Sequence, residues 1–131
     1  MPTTPAFSRT DEPALDPTTV ETLFELNDGD DDSFVRDLFT SFLGTYRDCV
    51  AGMREATKTN QGDLMRLKAH TLKGAAANVG ALKLSEVAAE LQRVGEEGTF
   101  ERAEAWLEDL DRLYAGVEFE LVKLLPGFET A

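Results

Sequence analysis

Cysteine and histidine are nearly absent from this sequence. The chain of 131 residues has one cysteine, Cys49, and one histidine, His70. A single cysteine can form neither an internal disulfide nor a cysteine-based zinc site, so we expect a reducing, cytoplasmic compartment. No run of 18 apolar residues is present, which predicts no transmembrane span. The first residues, MPTTPAFSRTDEP, lack a basic start followed by an apolar stretch, so no secretory signal is predicted.

Basic residues are also few. The chain has 13 Lys and Arg against 25 Asp and Glu, for a formal net charge of −12. Such a chain has no electrostatic reason to bind nucleic acid or an anionic membrane, and neither is expected as a partner. The exception is the stretch from Arg54 to Lys83, which holds six basic and two acidic residues. Unless this clustering is chance, it predicts a positive patch suited to an acidic protein or a phosphate group.

The alternating pattern of a β-strand is missing throughout. The helical period predicts an all-α fold, an antiparallel up-down four-helix bundle with a short additional N-terminal helix. We expect N-caps at Asp16, Ser33 and Thr99 and a helix stop at Gly80. Residues 1–15 are predicted to be a flexible leader, 16–125 the bundle domain and 126–131 a C-terminal tail. The helices are expected over residues 17–27, 33–59, 63–79, 83–94 and 100–125.

The third predicted helix carries the only histidine. On a helical wheel at 100° per residue, His70 lies almost opposite the side predicted to face the core. The imidazole is therefore predicted to be exposed, where a ring nitrogen can offer its lone pair to an electrophile. The residues predicted to form the core side are Leu64, Leu67, Thr71, Leu72, Ala75 and Val79.

Small and basic residues surround His70 on the same wheel. Gly74 and Ala77 form a strip without large side chains, although a glycine inside a helix costs about 1 kcal/mol relative to alanine. Lys73, three residues after His70, can reach a group bound to the imidazole. An imidazole, a nearby ammonium and open space together predict a place that receives a phosphoryl group.

The segment HTLKGAAANVG, residues 70–80, resembles the signature of the histidine-containing phosphotransfer (HPt) domains of bacterial phosphorelays. That pattern has a histidine, then Lys-Gly three and four positions after it, then a glycine ten positions after the histidine. His70, Lys73, Gly74 and Gly80 match all four positions. A looser resemblance extends over residues 16–125.

The resemblance implies reversible transfer of a phosphoryl group between receiver-domain aspartates and His70. Lys73 would stabilise the phosphate, and Gly74 would allow a receiver domain to dock. The implied partners are response-regulator receiver domains or a hybrid histidine kinase. We expect a monomeric carrier without kinase activity of its own. It would need no cofactor or metal, because the receiver supplies Mg²⁺. The other candidate docking residues are Arg66, Ala77 and Asn78.

Other interpretations remain open at this point. The phosphoacceptor domain of chemotaxis-type histidine kinases has a similar bundle and motif, whereas in a helical adaptor without phosphate chemistry His70 would be incidental. A hydrolase that uses Cys49 with His70 lacks a supporting Asn or Asp motif, and Cys49 is predicted to be a buried small side chain. The acidic turn at 27–32 resembles the start of a calcium loop but lacks the spaced ligands and the closing Glu.

Overall fold

The computed structural model of the protein describes residues 13–27, 29 and 31–128. The predicted leader lies outside the described residues except for its last three positions, and the predicted tail except for its first three. Positions 28 and 30 of the acidic turn also lie outside them. None of the described helices combines the length and the apolar character needed to cross a membrane.

The described residues form helices and no strand, as the sequence predicts. Helices α2 to α5 pack in a ring in which each contacts the next and α5 returns to α2. The short connections make neighbouring helices antiparallel, so the predicted four-helix bundle with a short N-terminal helix is confirmed. The elements are α1 (Pro17–Glu25), α2 (Ser33–Thr59), α3 (Gly62–Asn78), α4 (Leu82–Glu97), a 3₁₀ turn (Phe100–Arg102) and α5 (Ala103–Leu124).

Helix α2 is the longest element, and one apolar face runs along its whole length. Its 27 residues span about 40 Å at 1.5 Å per residue. The helix begins at Ser33, but Ser33 is its first residue and not the predicted N-cap. Asp32 occupies the N-cap position without a side-chain cap hydrogen bond, and the Ser33 amide donates to Asp31 Oδ1 at 3.0 Å. The buried residues recur at spacings of three and four, which directs them into the bundle. They are Val35, Phe39, Phe42, Leu43, Tyr46, Cys49, Val50, Met53 and Ala56.

Helices α3 and α4 approach closely at one point, where two glycines meet. A Cβ added to Gly95 would lie 2.6 Å from the carbonyl oxygen of Gly62 and 2.5 Å from the amide nitrogen of Arg66. Gly95 is the α4 residue at this close approach, and it lies within the helix. The predicted end of α4 at Val94 is therefore wrong. The helix continues to Glu97, and Gly98 stops it with a φ of +71°.

The start of α5 also differs from the prediction. The expected helix start at Phe100 is a 3₁₀ turn, and the α-helix begins only at Ala103. Thr99, the predicted N-cap, makes no side-chain cap hydrogen bond. Further along, the Tyr114 ring stacks on Tyr46 of α2 with ring centroids 3.7 Å apart. This stack, together with a hydrogen bond of 3.1 Å from the Tyr46 hydroxyl to Asp111 Oδ1, joins α5 to α2.

Helix α1 is tied to the end of the bundle by its N-terminal residues. Asp16 caps it as predicted, because its Oδ2 accepts from the Thr19 amide at 3.0 Å. The Asp16 amide donates to the carbonyl of Gly80 at 2.7 Å, in the turn between α3 and α4. Leu15, placed by the sequence in a flexible leader, is only 2% exposed and belongs to the core. The folded body therefore begins before residue 16, and the amides of Ala14 and Leu15 both donate to the Glu120 carboxylate.

Candidate functional site

Helix α3 presents His70 to solvent near the middle of its length. The buried side of the helix consists of residues at spacings of three and four, and His70 lies on the other side. Gly74, Ala77 and Asn78 are also exposed, and Lys73 is half-buried. The structure therefore brings the predicted residues together on one accessible face. The buried residues of α3 are Met65, Ala69, Leu72 and Ala76.

The side of α3 that faces the core differs from the side predicted by the helical wheel. Leu67 and Thr71, both predicted to face the core, are exposed, while Met65 and Ala69 are fully buried. The prediction placed the core side on Leu64 and Leu67 and left out Met65 and two alanines, Ala69 and Ala76. In the structure alanine lets α3 lie close to both α2 and α4, so the true core side is rotated toward Met65. His70 stays outward under either placement.

Leu67 also belongs to the candidate site, although the helical wheel predicted that it faces the core. Its side chain is 53% exposed, and it lies three residues before His70, one turn away on the same face. Leu67, His70 and Gly74 thus follow one another along the outer surface of α3. An exposed leucine beside the imidazole offers apolar area to a docking protein. It could have been recognised if the core side had been placed on Met65 and Ala69.

Two basic residues flank His70, one on each side along the helix. Arg66 lies four residues before it and Lys73 three residues after it, and neither forms an ion pair with any of the described residues. Two other cations of the positive stretch form ion pairs within the bundle. Arg54 pairs with Asp111, and Lys68 pairs with Asp48 at 2.9 Å. The charges of Arg66 and Lys73, on either side of the histidine, are therefore available to a partner.

Gly74 has no packing role in the bundle. A Cβ added at this position would meet nothing within 4 Å, in contrast to Gly62 and Gly95, where it would collide with backbone. The helix interior gains nothing from a glycine here, since alanine has the higher helix propensity. The missing side chain instead leaves clear space one turn from the imidazole of His70.

Helix α4 borders the site on the side of Lys73. The Ser85 hydroxyl donates to the Lys73 carbonyl at 2.9 Å, which fixes the register of the two antiparallel helices together with the Gly62–Gly95 contact. Gln92 lies between these two points of contact along α4, seven residues after Ser85, so it is on the side of the helix that meets α3. Its Oε1 is buried and finds no hydrogen-bond partner among the described residues. The sequence prediction did not include Gln92; its spacing of seven residues from Ser85, on the side of α4 that meets α3, is the signal that could have found it.

Cys49, the other candidate nucleophile, is far less accessible to solvent than His70. Cys49 is 1% exposed within the apolar face of α2, and burial raises the pKa of its thiol. A raised pKa favours the neutral thiol over the reactive thiolate. The structure thus gives no support to a hydrolase that uses Cys49 with His70.

Comparisons with known proteins agree with this arrangement. The family model described as Hpt domain matches residues 37–118, which include α3 and the whole of the candidate site. The structure is similar to the crystal structure of histidine-containing phosphotransfer protein B (HptB) from Pseudomonas aeruginosa PAO1, with a TM-score of 0.76 and 25% sequence identity. That similarity covers 85% of this chain and 93% of the other. No curated protein matches the sequence. The exposed histidine on a four-helix bundle and the matching family model lead to one conclusion: this chain belongs to the Hpt domain family.

Proposed function

We propose that this chain is a histidine phosphotransfer protein of a multistep phosphorelay. In this role His70 accepts a phosphoryl group from the phospho-aspartate of one receiver domain and passes it to the aspartate of another. The observation that carries the proposal is the exposure of His70 beside the open space at Gly74, with Arg66 and Lys73 on either side. The family membership of the chain supports the same reading.

The transfer is a displacement at phosphorus. The imidazole nitrogen farther from the backbone attacks the phosphorus of the acyl phosphate, a new N–P bond forms, and the bond from phosphorus to the aspartate oxygen breaks. The aspartate leaves as a carboxylate, and the reverse displacement on a second receiver restores free His70. Such transfers depend mainly on positioning and on stabilisation of the phosphoryl oxygens. Lys73 supplies part of that stabilisation from this chain.

The partner makes its contact through the outer surface of α3. Leu67 provides an apolar contact, Gly74 gives the approaching domain room, and Arg66 offers a cation to an acidic surface. Ala77 and Asn78 extend the same surface by a further turn. Because the rest of the chain is strongly acidic, this local positive charge also orients a partner during its approach.

The same proposal covers the setting in which the protein works. The partners are receiver domains, alone or within a hybrid histidine kinase, and they supply the Mg²⁺ for the reaction. We propose a cytoplasmic carrier that acts as a monomer, since every residue of the site lies on α3 and α4 of one chain. The carrier has no kinase activity and no cofactor or metal of its own.

The decisive experiment uses radiolabelled receiver domains from the source organism. The purified chain should take up label from a phosphorylated receiver, and the label should be acid-labile and stable in alkali, as expected for a phosphoramidate. His70→Gln should keep the helical circular dichroism of the parent and take up no label. Acid-stable label, or label on His70→Gln, would contradict the assignment. Labelling by a kinase domain with ATP, but by no receiver, would instead identify a chemotaxis-type phosphoacceptor domain.

A further inference from the structure

Helix α4 leaves one large apolar side chain exposed, that of its first residue, Leu82, which is 43% exposed. Among the described residues, Leu82 and Leu67 are the only large apolar side chains that α3 and α4 expose. A single exposed leucine is ordinary, but apolar side chains that share one face with a functional group indicate a contact surface. The position of Leu82 relative to His70 therefore decides what it does. The other exposed side chains of α4 are all charged, namely Glu86, Arg93, Glu96 and Glu97.

Leu82 lies on the solvent side of the contact between α4 and α3. The Ser85 hydroxyl donates to the Lys73 carbonyl at 2.9 Å, which marks the side of α4 that meets α3. Leu82 precedes Ser85 by three residues, so it lies about 60° from Ser85 around the helix. The rotation goes away from the buried residues of α4, such as Leu84 and Leu91. The Leu82 side chain therefore borders α3 at the surface of the bundle.

His70 lies at the same border, on the α3 side. A Cβ on Gly95 would lie 2.5 Å from the amide nitrogen of Arg66, four residues before the histidine. Lys73, three residues after it, accepts the hydrogen bond from Ser85. Since α4 contacts the backbone on both sides of the imidazole, His70 is on the part of the outer surface of α3 that is next to α4. The imidazole and the exposed leucine of α4 therefore share the face formed by the two helices.

The two exposed leucines lie on opposite sides of the imidazole along the helix axis. The Ala81 amide donates to the Ala76 carbonyl at 2.9 Å, so Leu82, the next residue, begins α4 level with Ala76. At 1.5 Å per residue, His70 is about 5 Å along the axis from Leu67 and about 9 Å from the level of Leu82. The leucines therefore bracket the imidazole with a separation of about 14 Å along the axis.

We propose that Leu82 is a second apolar contact of the receiver domain, so that the docking surface spans α3 and α4. The inference rests on the proposed function, which makes the receiver the partner that reaches His70. The anionic phosphoryl group then meets His70 and Lys73 between two apolar contacts. One contact alone lets a partner rotate about it, whereas contacts on both sides of the imidazole fix the orientation that an in-line displacement requires.

Binding of receiver domains to His70→Gln, measured by titration calorimetry, tests the surface without phosphoryl transfer. In that background Leu82→Ser should raise the dissociation constant about tenfold, because it removes a large apolar contact. Leu82→Met keeps the contact and should change the constant by no more than about twofold. Val122→Ser is the matched control and should change nothing. Val122 lies eleven residues after Asp111, on the side of α5 that contacts α2 through Tyr46.

Two further measurements accompany the titration. The melting temperature of Leu82→Ser should stay close to that of its background, because the side chain is already about half exposed. In chains that retain His70, Leu82→Ser should raise the receiver concentration needed for half-maximal transfer by the same factor as the dissociation constant.

The outcomes separate this surface from the proposed function. If the parent takes up label but Leu82→Ser binds and transfers as well as its background, or no worse than Val122→Ser, the surface is overturned and the proposed function stands. If the parent takes up no label from any receiver, yet His70→Gln binds a receiver and Leu82→Ser weakens that binding, the proposed function is overturned and the surface stands. A chain that neither binds nor accepts label from any receiver overturns both.

Discussion

The backbone of Gly95 in α4 lies against the backbone of Gly62 in α3 with no room for a side chain on either glycine. A Cβ on Gly95 would be 2.6 Å from the Gly62 oxygen, and a Cβ on Gly62 would be 2.7 Å from the Gly95 oxygen. Both neighbours are backbone atoms, so neither can move aside without shifting a helix. This contact sets the distance between the helix that carries His70 and its main neighbour.

Gly95→Ala should destabilise the protein although alanine favours helix. Alanine gains about 1 kcal/mol in helix propensity, whereas overpacking of this kind typically costs about 1–3 kcal/mol. Gly74→Ala is the matched control, because its Cβ meets open space and should stabilise the fold by up to about 1 kcal/mol. Urea unfolding of the two variants measures both effects. A Gly95→Ala variant as stable as Gly74→Ala would contradict the close-approach explanation.

Gly74→Gln should separate stability from activity. The open space around Gly74 accommodates the larger side chain, so the melting temperature should equal or exceed that of the parent. Phosphoryl uptake at His70 should be slow, because the glutamine occupies the space needed by the receiver and a displacement of about 1 Å can cost a hundredfold in rate. A thermal melt and a transfer time course on the same sample decide the matter. Parallel loss of stability and transfer would show that Gly74 serves packing.

Leu67→Ser should weaken docking and leave the fold intact. Since Leu67 is about half exposed, its loss removes little burial from the free protein but takes apolar area out of the proposed interface. We expect a rise of about tenfold in the receiver concentration needed for half-maximal transfer, because burying a large apolar side chain contributes about 1.5–3 kcal/mol. Val122→Ser, a similarly exposed position on the opposite side of the bundle, should leave that concentration unchanged. An equal effect of the two variants would exclude a specific role for Leu67.

Lys73→Ala should slow transfer or shorten the lifetime of the phosphorylated form. A charge-assisted contact to phosphate contributes about 1.5–3 kcal/mol at most, and partial exposure reduces it, so the effect should stay below a hundredfold. The hydrogen bond from Ser85 goes to the Lys73 carbonyl and survives the substitution, so the melting temperature should change little. Lys58→Ala, on the exposed end of α2, is the control. Unchanged transfer and unchanged lifetime would make Lys73 an ordinary surface residue.

The parts of the fold that depend on local sequence could be predicted, and those that depend on contact between helices could not. Asp16 followed by proline marks the start of α1, and the recurring aromatics of α2 mark its buried face. Gly95 could not be interpreted in the same way. A glycine that ends a helix and a glycine that admits a neighbouring helix look alike in sequence, and only the approach of Gly62 distinguishes them.

The candidate site shows the same division. The exposure of His70 could be predicted because the helical period places it away from both the predicted and the observed core side of α3. The position of Leu67 could not, since the packing of α2 and α4 decides which side of α3 is covered and alanines such as Ala69 carry little weight on a wheel. The hydrogen bond between Leu15 and Glu120 joins residues 105 positions apart, so no local sequence pattern predicts it.

The hydrogen bond between Leu15 and Glu120 has a consequence for the order in which the helices pack as the chain is synthesised. Asp16 binds the carbonyl of Gly80, and the amides of Ala14 and Leu15 bind the Glu120 carboxylate, so both anchors of α1 are translated long after α1 itself. Closing loops of that length also carries an entropic cost that only the assembled bundle can offset. Helix α1 therefore leaves the ribosome before helices α2 to α5, but it gains both of its anchors only after α5 has been made.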